Sequence, residues 1–347
     1  MSDKLTGGGE FDFIERVRRR ELARVPDNRH SSLITHHSSL LKGIGDDAAL
    51  LRPRAGFDLV ITADLLVEGV DFRLDKGWTT PRDLGHKALA VSLSDAAAMG
   101  AWPCFCLLSV GVPRALWRGR FLEEFYEGVR ALADVYGVRI IGGDTSRTTG
   151  GFVVDSVVIG EVRRGRALTR GGAAAGEQIF VTGSLGGAAA GLKMLEGGRA
   201  RASRGLLARQ RRPEPRVEWG ALLSEKGLAT SLIDLSDGLS SDLMHVCRES
   251  GVGARVEAAS LPLDPLLAQT NVGADEALRL ALDGGEDFEL LFTASTRQAA
   301  RLPREVGGVP FTRVGEVTAE RGKVRLVRDG RASLLKPGGF EHFRRDS

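Results

Sequence analysis

The sequence predicts an α/β protein of two domains with mixed sheets. Three observations carry this: strand-like apolar runs alternate with amphipathic stretches in both halves, an Arg-, Gly- and Ala-rich break lies near the middle, and 347 residues suffice for about two hydrophobic cores. In PRDLGHKALAVSLSDAAAMG, apolar residues recur at helical spacing from Leu84 to Met99, and FLEEFYEGVRALADVYG over 121–137 repeats the pattern, so both read as amphipathic helices. FDLVITADLLV, PCFCLLSVGVP, RIIGGD and GFVVDSVVIGEV are rich in β-branched and aromatic residues and bounded by Gly or Pro, as strands are. RRGRALTRGGAAAG over 163–176 has no buried-face pattern and marks the connection, which gives domains 1–162 and 163–347. The second domain then reads as strand EQIFVTG, turn SLGG into helix AAAGLKMLEGG, a helix from about Pro215, strand ATSLIDLSDG feeding helix LSSDLMHVCRESG, and strands FELLFTAS, FTRVGEV and KVRLVRDG.

Charge excludes several classes of partner. The 48 basic and 45 acidic residues leave a net charge of +3, spread along the chain, which argues for neither a nucleic acid nor a membrane surface. MSDKLTGGGEFDF lacks the basic start and apolar run of a secretory signal, and the most apolar stretch, Cys104 to Val112, is too short to span a bilayer, so a cytoplasmic protein is expected. Three cysteines make no disulfide framework, and Cys104 and Cys106 sit in an apolar run as small buried hydrophobes. His30, His36 and His37 fall in HSSLITHHSSLL, a repetitive stretch that reads as a surface insertion over 25–41 and not as a zinc site, since no Cys or acidic ligand stands at metal spacing.

The chemistry lies in the aspartates. They recur where element ends or turns are expected: Asp46 and Asp47 in GIGDDAA, Asp64 in ITADLL, Asp144 in IGGDTS, and Asp234 and Asp237 in IDLSDG, with Asp95 among small residues in SLSDAAAMG. A lone Asp at such a place is a helix cap or an Asx-turn, the reading that suits Asp134 and Asp242. Adjacent carboxylates such as Asp46 and Asp47 repel by about 4 kcal/mol at an effective dielectric of ~20 and must be solvated or neutralised. If the set converges it demands cations, and oxygen ligands without His or Cys select magnesium, which in turn suggests phosphate. The usual phosphate cradles are missing: there is no GxxxxGK[ST], and Gly43 to Ala48 fits G-x-G-x-x-A but places carboxylates inside the turn, where they would repel a pyrophosphate. G-x-S-x-G is absent too. Phosphoryl transfer run by metals remains, with Arg170 of LTRGG as a bidentate positive contact or simply a solvated linker side chain.

Read in order, GIGDDAALL, TADLLVEGVDF, KALAVSLSDAAAMGA, IGGDTSR, RALTRGGAAAGE, IDLSDGLSSDL and DGGEDFELLFT resemble the thiamine-monophosphate kinases, of the superfamily that includes aminoimidazole ribonucleotide synthetase. The resemblance runs from Gly43 to Phe343. It implies a two-domain PurM-like fold, a homodimer whose N-terminal sheets pair, and a C-terminal α/β domain that closes over the nucleotide. The implied activity is ATP-dependent, Mg²⁺-assisted phosphorylation of thiamine monophosphate to thiamine diphosphate.

On the matching motifs, the resemblance implies Mg²⁺ ligation by Asp47, Asp64, Asp95, Asp144 and Asp237, with Thr62 and Asp234 assisting. It implies ATP contacts from Gly143, Asp144, Arg170, Ser236 and Tyr126, and a thiamine site lined by Glu286 and Phe340, whose charge and aromatic face suit a thiazolium cation. Lys87 matches as well, though a helix-surface Lys needs no role. Asp71 stands where the family usually has His, altering a substrate-side contact, and Ala63 where a second hydroxyl residue is common. A phosphate monoester is already an anion at neutral pH, its second pKa being near ~6, so in-line transfer needs no general base and the scarcity of His makes sense. Two alternatives stay open: a non-catalytic nucleotide or thiamine-phosphate sensor, and another ATP-dependent member of the superfamily. Selenophosphate synthetase needs a reactive N-terminal Cys or selenocysteine, whereas the first cysteine here is Cys104, and the carbamoyl-dehydrating relative needs a C-terminal Cys where this chain ends EHFRRDS.

Overall fold

The computed structural model describes residues 9–22, 39–198 and 203–343. The expected insertion at 25–41, with its three histidines, lies outside the described residues except for 39–41, which open a strand. The chain divides into two compact units, Met1–Ala96 with Trp102–Gly165, and Ala97–Ala101 with Arg166–Ser347.

The first unit begins with α1 (Glu10–Leu22) and an antiparallel pair, β1 (Ser39–Lys42) and β2 (Leu50–Arg52). Then come β3 (Phe57–Val67), α2 (Pro81–Ala98), β4 (Trp102–Pro113), α3 (Arg114–Trp117), α4 (Phe121–Tyr136), β5 (Arg139–Thr148) and β6 (Val153–Arg163). The four longer strands form one sheet in the order β3-β6-β4-β5, antiparallel except for the parallel pair β4–β5. Period-2 alternation sets its two faces. Leu66, Leu108, Val110, Val154 and Val158 are buried, as are Leu84, Leu89 and Leu93 of α2 and Leu122 and Val129 of α4. On the opposite face of β3, Leu59, Ile61 and Leu65 are 40%, 64% and 58% exposed, an apolar row without a cover.

In the second unit, β7 (Gln178–Thr182), α5 (Gly187–Glu196), α6 (Arg204–Arg211), α7 (Val217–Lys226), β8 (Ser231–Asp234) and α8 (Leu239–Ser250) are followed by β9 (Gly253–Glu257), α9 (Ala274–Asp283), β10 (Leu290–Ala294) and α10 (Thr296–Ala299). β11 (Glu305–Val306), β12 (Val309–Thr318), β13 (Val324–Arg328) and β14 (Arg331–Leu334) complete it. Its eight-stranded sheet runs β14-β13-β9-β12-β7-β10-β8, with β11 beside β12 and only β13–β9 parallel. Ile179, Val181, Ile233, Leu291 and Val314 from this sheet pack with Leu239, Leu243 and Val246 of α8. Inside the unit, Arg216 donates to both oxygens of Glu289 at 2.6 Å, and Thr182 Oγ1 donates to Glu289 at 2.7 Å. Arg216 and Glu289 neutralise one another here, so removing Arg216 would strand the buried Glu289 charge.

The expected helices and strands are all present. The structure adds α1, α3, α6, α9, α10, β1, β2, β9, β11 and β14. Most are short or highly charged; α9 is the exception, since ADEALRLALD carries an apolar stripe through Ala277, Leu280 and Ala281 that its sequence does display. One expectation is corrected: Asp64 and Asp144 are not at strand ends. Each sits well inside a strand, paired with Ser156 and Ser109 respectively, because pairing continues on both sides of the carboxylate.

The glycines of PRDLG and YEG, unremarked in the sequence, set the depth of the helix layer. A Cβ on Gly85 would stand 1.9 Å from the Phe125 carbonyl oxygen, and one on Gly128 1.9 Å from that of Arg82, so α2 and α4 touch backbone to backbone. Gly128→Ala must push the helices apart, and we expect a loss of about 1–3 kcal/mol in unfolding free energy, read by denaturant titration. Gly150→Ala, with open space around its Cβ, serves as the control. Equal stability for the two variants would show that the crossing is looser than described.

Candidate functional site

In the first unit two carboxylates meet across the sheet and helix layers. Thr62 and Asp64 share the helix-facing side of β3, and α2 brings Ser92 and Asp95, one turn apart on one helical face, against them. Thr62 Oγ1 donates to Asp95 Oδ2, and Ser92 Oγ donates to Asp64 Oδ2 at 2.7 Å. Ser92 is held by the Ser156 hydroxyl at 2.6 Å, and Ser156 in turn donates to the Ala88 carbonyl at 2.6 Å. Burial pushes the Asp64 carboxyl up to about 6, with the charge of Asp95 as the next cause. Ser92 and Ser156 were missed by the sequence reading; the signal for Ser92 was its i,i+3 spacing from Asp95 in SLSD.

The twin aspartates divide their roles. Asp46 forms an ion pair with Lys42 at 3.0 Å and accepts the Asp47 amide at 3.1 Å, and the Lys42 contact holds its carboxyl below the usual range. Asp47 is exposed, and among the described residues its carboxylate has no hydrogen-bond or ion-pair partner. The Gly43–Asp47 loop lies beside β5: a Cβ on Gly43 would be 3.8 Å from the Ile141 carbonyl. Gly143 and Asp144 follow on that strand. Gly143, at φ +146°, leaves no space for a side chain, since a Cβ would stand 1.9 Å from the Leu108 carbonyl.

The aspartates of this unit therefore form two groups, Asp64 with Asp95 between β3 and α2, and Asp144 on β5 with Asp47 in the adjoining loop. β3 and β5 are opposite edges of the sheet, so Asp64 and Asp144 stand about 14 Å apart at three strand spacings. They also face opposite ways, Asp64 with buried Ser156 and Asp144 with half-exposed Ser109. Among the described residues, no group of three or more His, Cys, Asp or Glu is placed to hold a metal ion.

Other expected residues have local duties. Asp71 accepts the Val67 amide at 2.8 Å, closing the turn after β3. Lys87 is not a surface side chain: it is buried, and its Nζ donates to the Asp71 carbonyl at 3.4 Å. Ala63 points to the open face, away from Thr62 and Asp64, so a hydroxyl there would not reach their cluster. Tyr126 is 4% exposed, edge-on to Phe13 and Phe125 and under Arg130, which makes it a core residue of this unit.

The second unit builds its group around the turn after β8. The Ser236 carbonyl accepts the Glu286 amide at 2.8 Å, the Leu235 carbonyl accepts the Phe288 amide at 2.9 Å, and the Asp237 carbonyl accepts the Phe340 amide at 3.1 Å. Three distant motifs, IDLSDG, GGEDF and GGF, thus lie side by side. Burial raises the Asp237 carboxyl, opposed by the charges of His245, His342 and Arg170, which places Arg170 within electrostatic reach of Asp237. Asp234 is buried at the strand end. Asp242, expected as a cap, accepts the amides of Gly238 at 3.0 Å and Asp237 at 3.2 Å, and burial, with Asp234 and Asp237 nearby, pushes it up to about 8. Glu286, at φ +67°, occupies the left-handed region, a strained conformation for a residue with a side chain; the Gln210 amide donates to its carboxylate at 3.4 Å. Phe340 is 53% exposed, its ring edge-on to His342.

Comparison with known proteins bears on these arrangements. Residues 45–162 match the family "AIR synthase related protein, N-terminal domain", and 174–327 match "AIR synthase related protein, C-terminal domain". A thiamine-monophosphate kinase of Escherichia coli is 42% identical over 341 residues, 96% of this chain and 98% of that protein. The crystal structure of thiamine-monophosphate kinase from Stenotrophomonas maltophilia superposes with a TM-score of 0.79 at 40% identity, covering 94% of this chain and 98% of that one. AaThiL complexed with AMPPCP and TMP gives 0.73 at 27% identity, with 96% and 97% covered. No helix among the described residues is long and apolar enough to cross a membrane.

Next to Glu286, Asp287 accepts the amides of Gly186 at 2.6 Å and Ala188 at 3.1 Å, so its carboxylate organises the SLGG turn that opens α5. Burial pushes its pKa up to about 7 against the favourable amides. The folded chain then binds this proton more tightly than the unfolded one, so the contribution to stability falls as pH rises from ~4 to about 7, at up to about 1.4 kcal/mol per pH unit. Asp287→Asn keeps an acceptor for only one of the two amides, a cost that does not change with pH, and cannot ionise. In unfolding titrations from pH 4.5 to 8, wild type should lose stability relative to this variant as pH rises; a flat difference would show that Asp287 titrates normally.

Proposed function

The chain belongs to the thiamine-monophosphate kinase family of AIR synthase related proteins and phosphorylates thiamine monophosphate with ATP to give thiamine diphosphate, and we propose that it does so by direct in-line transfer assisted by magnesium. The observation that carries the metal is the pairing of Asp64 with Asp95: two half-buried carboxylates, one already pushed up to about 6, each accepting a hydroxyl. Magnesium is commonly held by only one or two carboxylates, with water and substrate phosphates completing its shell, so this donor set fits it. In the first unit Asp64 and Asp95, with Thr62, would hold one ion, and Asp47 and Asp144 would serve another. In the second, Asp237 would be the ligand, with Asp234 assisting. Magnesium, when bound, neutralises the charge of the triphosphate and of the group in transfer.

The chain's own groups do the rest. Gly143 in the first unit, and Arg170 and Ser236 in the second, are proposed as ATP contacts; Glu286 and Phe340 are proposed for the thiamine ring, whose thiazolium cation suits a carboxylate and an aromatic face. The acceptor oxygen is already anionic near neutral pH, so positioning and charge neutralisation suffice and no phosphoenzyme is needed. Homodimer formation is proposed through the open face of the first sheet, where Leu59, Ile61 and Leu65 form an apolar row.

With ATP, Mg²⁺ and thiamine monophosphate, thiamine diphosphate should form. Asp47→Asn and Asp237→Asn should each lower kcat by about 10²-fold or more at saturating Mg²⁺ with unchanged unfolding curves. Asp46→Asn should stay within a few-fold of wild type, because Asp46 is engaged by Lys42. Near-normal rates for the first two variants would overturn the ligand assignment, and binding of both substrates without product would favour a sensor. Ile61→Asp should convert the dimer to monomer in sedimentation analysis; an unchanged sedimentation coefficient would refute the proposed face.

A further inference from the structure

Glu286 and Phe340, the proposed contacts of the thiamine ring, sit on separate segments of the second unit, and one buried hydroxyl, that of Ser240, bonds to both segments. After β14 the chain is pinned at Leu335, whose amide donates to the Val324 carbonyl at 2.8 Å. Lys336 and Pro337 are exposed. Successive amides then turn onto the start of α8: Gly338 donates to Ser240 Oγ at 3.0 Å, Gly339 to Ser241 Oγ at 3.2 Å, and Phe340 to the Asp237 carbonyl at 3.1 Å. These bonds make a strap of residues 338–340. A Cβ on Gly339 would stand 2.3 Å from the Asp237 carbonyl oxygen, so the strap lies this close because that residue is glycine.

Ser240 does more than accept. It is 1% exposed, and its hydroxyl donates to Asp283 Oδ1 at 2.7 Å while receiving the Gly338 amide. Asp283 ends α9 and opens the loop to Glu286, whose amide is bonded to the Ser236 carbonyl. The run from amide to hydroxyl to carboxylate therefore ties the segment carrying Phe340 to the segment carrying Glu286. Side-chain packing holds the phenyl ring less: it is 53% exposed, and its edge-on neighbour at 4.8 Å, His342, lies on the same exposed segment. An exposed ring on a fixed backbone can meet a ligand with little left to order. We propose that Ser240 is a positioning residue for the thiamine ring: through Asp283 and Gly338 its hydroxyl sets the distance between the Glu286 and Phe340 arms, and Ser241 supports the same strap. The inference rests on Glu286 and Phe340 serving that ring, as proposed above. The turn at Ser236 and Asp237 has supports of its own, the Asp242 carboxylate on the Asp237 and Gly238 amides and the Glu289 carbonyl on the Leu235 amide. Loss of the Ser240 hydroxyl should therefore fall mainly on the thiamine substrate.

The test uses initial rates of the full chain with Mg²⁺, each substrate varied at saturating levels of the other. Ser240→Ala should raise KM for thiamine monophosphate about fivefold, the usual size of one lost hydrogen bond, and shift KM for ATP by less than about twofold. Phe340→Ala should raise the same KM, and adding Ser240→Ala to it should raise it by less than about twofold more, because the serine acts through the strap that carries the ring. Full additivity, or an unchanged KM in Ser240→Ala, overturns the proposal. So does a fall in kcat with both KM values kept, the mark of a merely structural role. If Ser240→Ala does not fold, Ser241→Ala takes its place: it removes only the Gly339 acceptor and should raise KM for thiamine monophosphate with the same non-additivity, and an unchanged KM refutes the assignment. Absence of thiamine diphosphate from wild type would defeat the kinase reading, and dissociation constants for thiamine monophosphate, measured by calorimetry on the same variants, would still judge the clamp. Product from wild type with an unchanged KM in Phe340→Ala would defeat the placement of the ring, and the role of Ser240 with it.

Discussion

Like charge brought together at half-burial is the constraint around which the first unit is organised. Asp64 and Asp95 belong to different elements, and their approach raises the free energy of the ionised pair through both desolvation and repulsion. The surrounding hydroxyls offset part of that cost. Thr62 and Ser92 each donate to one carboxylate, and Ser156 anchors Ser92 to the backbone of the same helix that carries Asp95. A structure serving stability alone would place one amide or one Lys here. Two acids that each take a hydroxyl donor make a donor set of oxygens close together, the kind of site at which perturbed carboxylates gather.

Backbone geometry makes this approach possible. The glycine contacts bring α2 and α4 together backbone to backbone, and α2 lies close enough to the sheet for Ser92 to bond Asp64 and Ser156 directly. The unbroken β3–β6 pairing, eleven residues long, fixes which face of β3 carries Thr62 and Asp64. A slip of one residue would turn them to the open face and bring Ala63 inward. At the other edge, the φ of Gly143 and its approach to the Leu108 carbonyl hold the start of IGGDTSR against β4. Packing alone already forbids a side chain at Gly143, so its proposed ATP contact cannot be separated from its role in strand pairing by substitution there.

Elements with strong periodicity were legible from the chain alone: β3, β4 and β6 through alternation, α2 and α4 through their apolar stripes. So were the acidic motifs, each by its residues. What stayed hidden was arrangement. Strand order β3-β6-β4-β5 separates Asp64 from Asp144 by the width of the sheet, and no local pattern encodes that order. The neutralisation of Asp46 by Lys42 spans a turn whose shape depends on glycine dihedrals, so two adjacent identical residues looked equivalent and are not. Lys87 looked like a surface residue because charge in a helix usually is, and its burial depends on a carbonyl sixteen residues earlier. Asp242 carries the same lesson: it is not the cap it was expected to be but the fourth residue of α8, reaching back to two amides of the preceding turn, and burial beside two aspartates gives it an unusual proton affinity.

The three amide-to-carbonyl bonds around the turn after β8 tie the proposed nucleotide side of the second unit to its thiamine side. Glu286 hangs from the Ser236 carbonyl and Phe340 from that of Asp237, with no flexible spacer between. Displacement of either aromatic or acidic arm therefore shifts the peptide that presents the other ligand's contacts. With ATP and thiamine monophosphate on these arms as proposed, the two would be heterotropic effectors of one another, and any factor by which the first alters the affinity of the second is the same whichever of them arrives earlier.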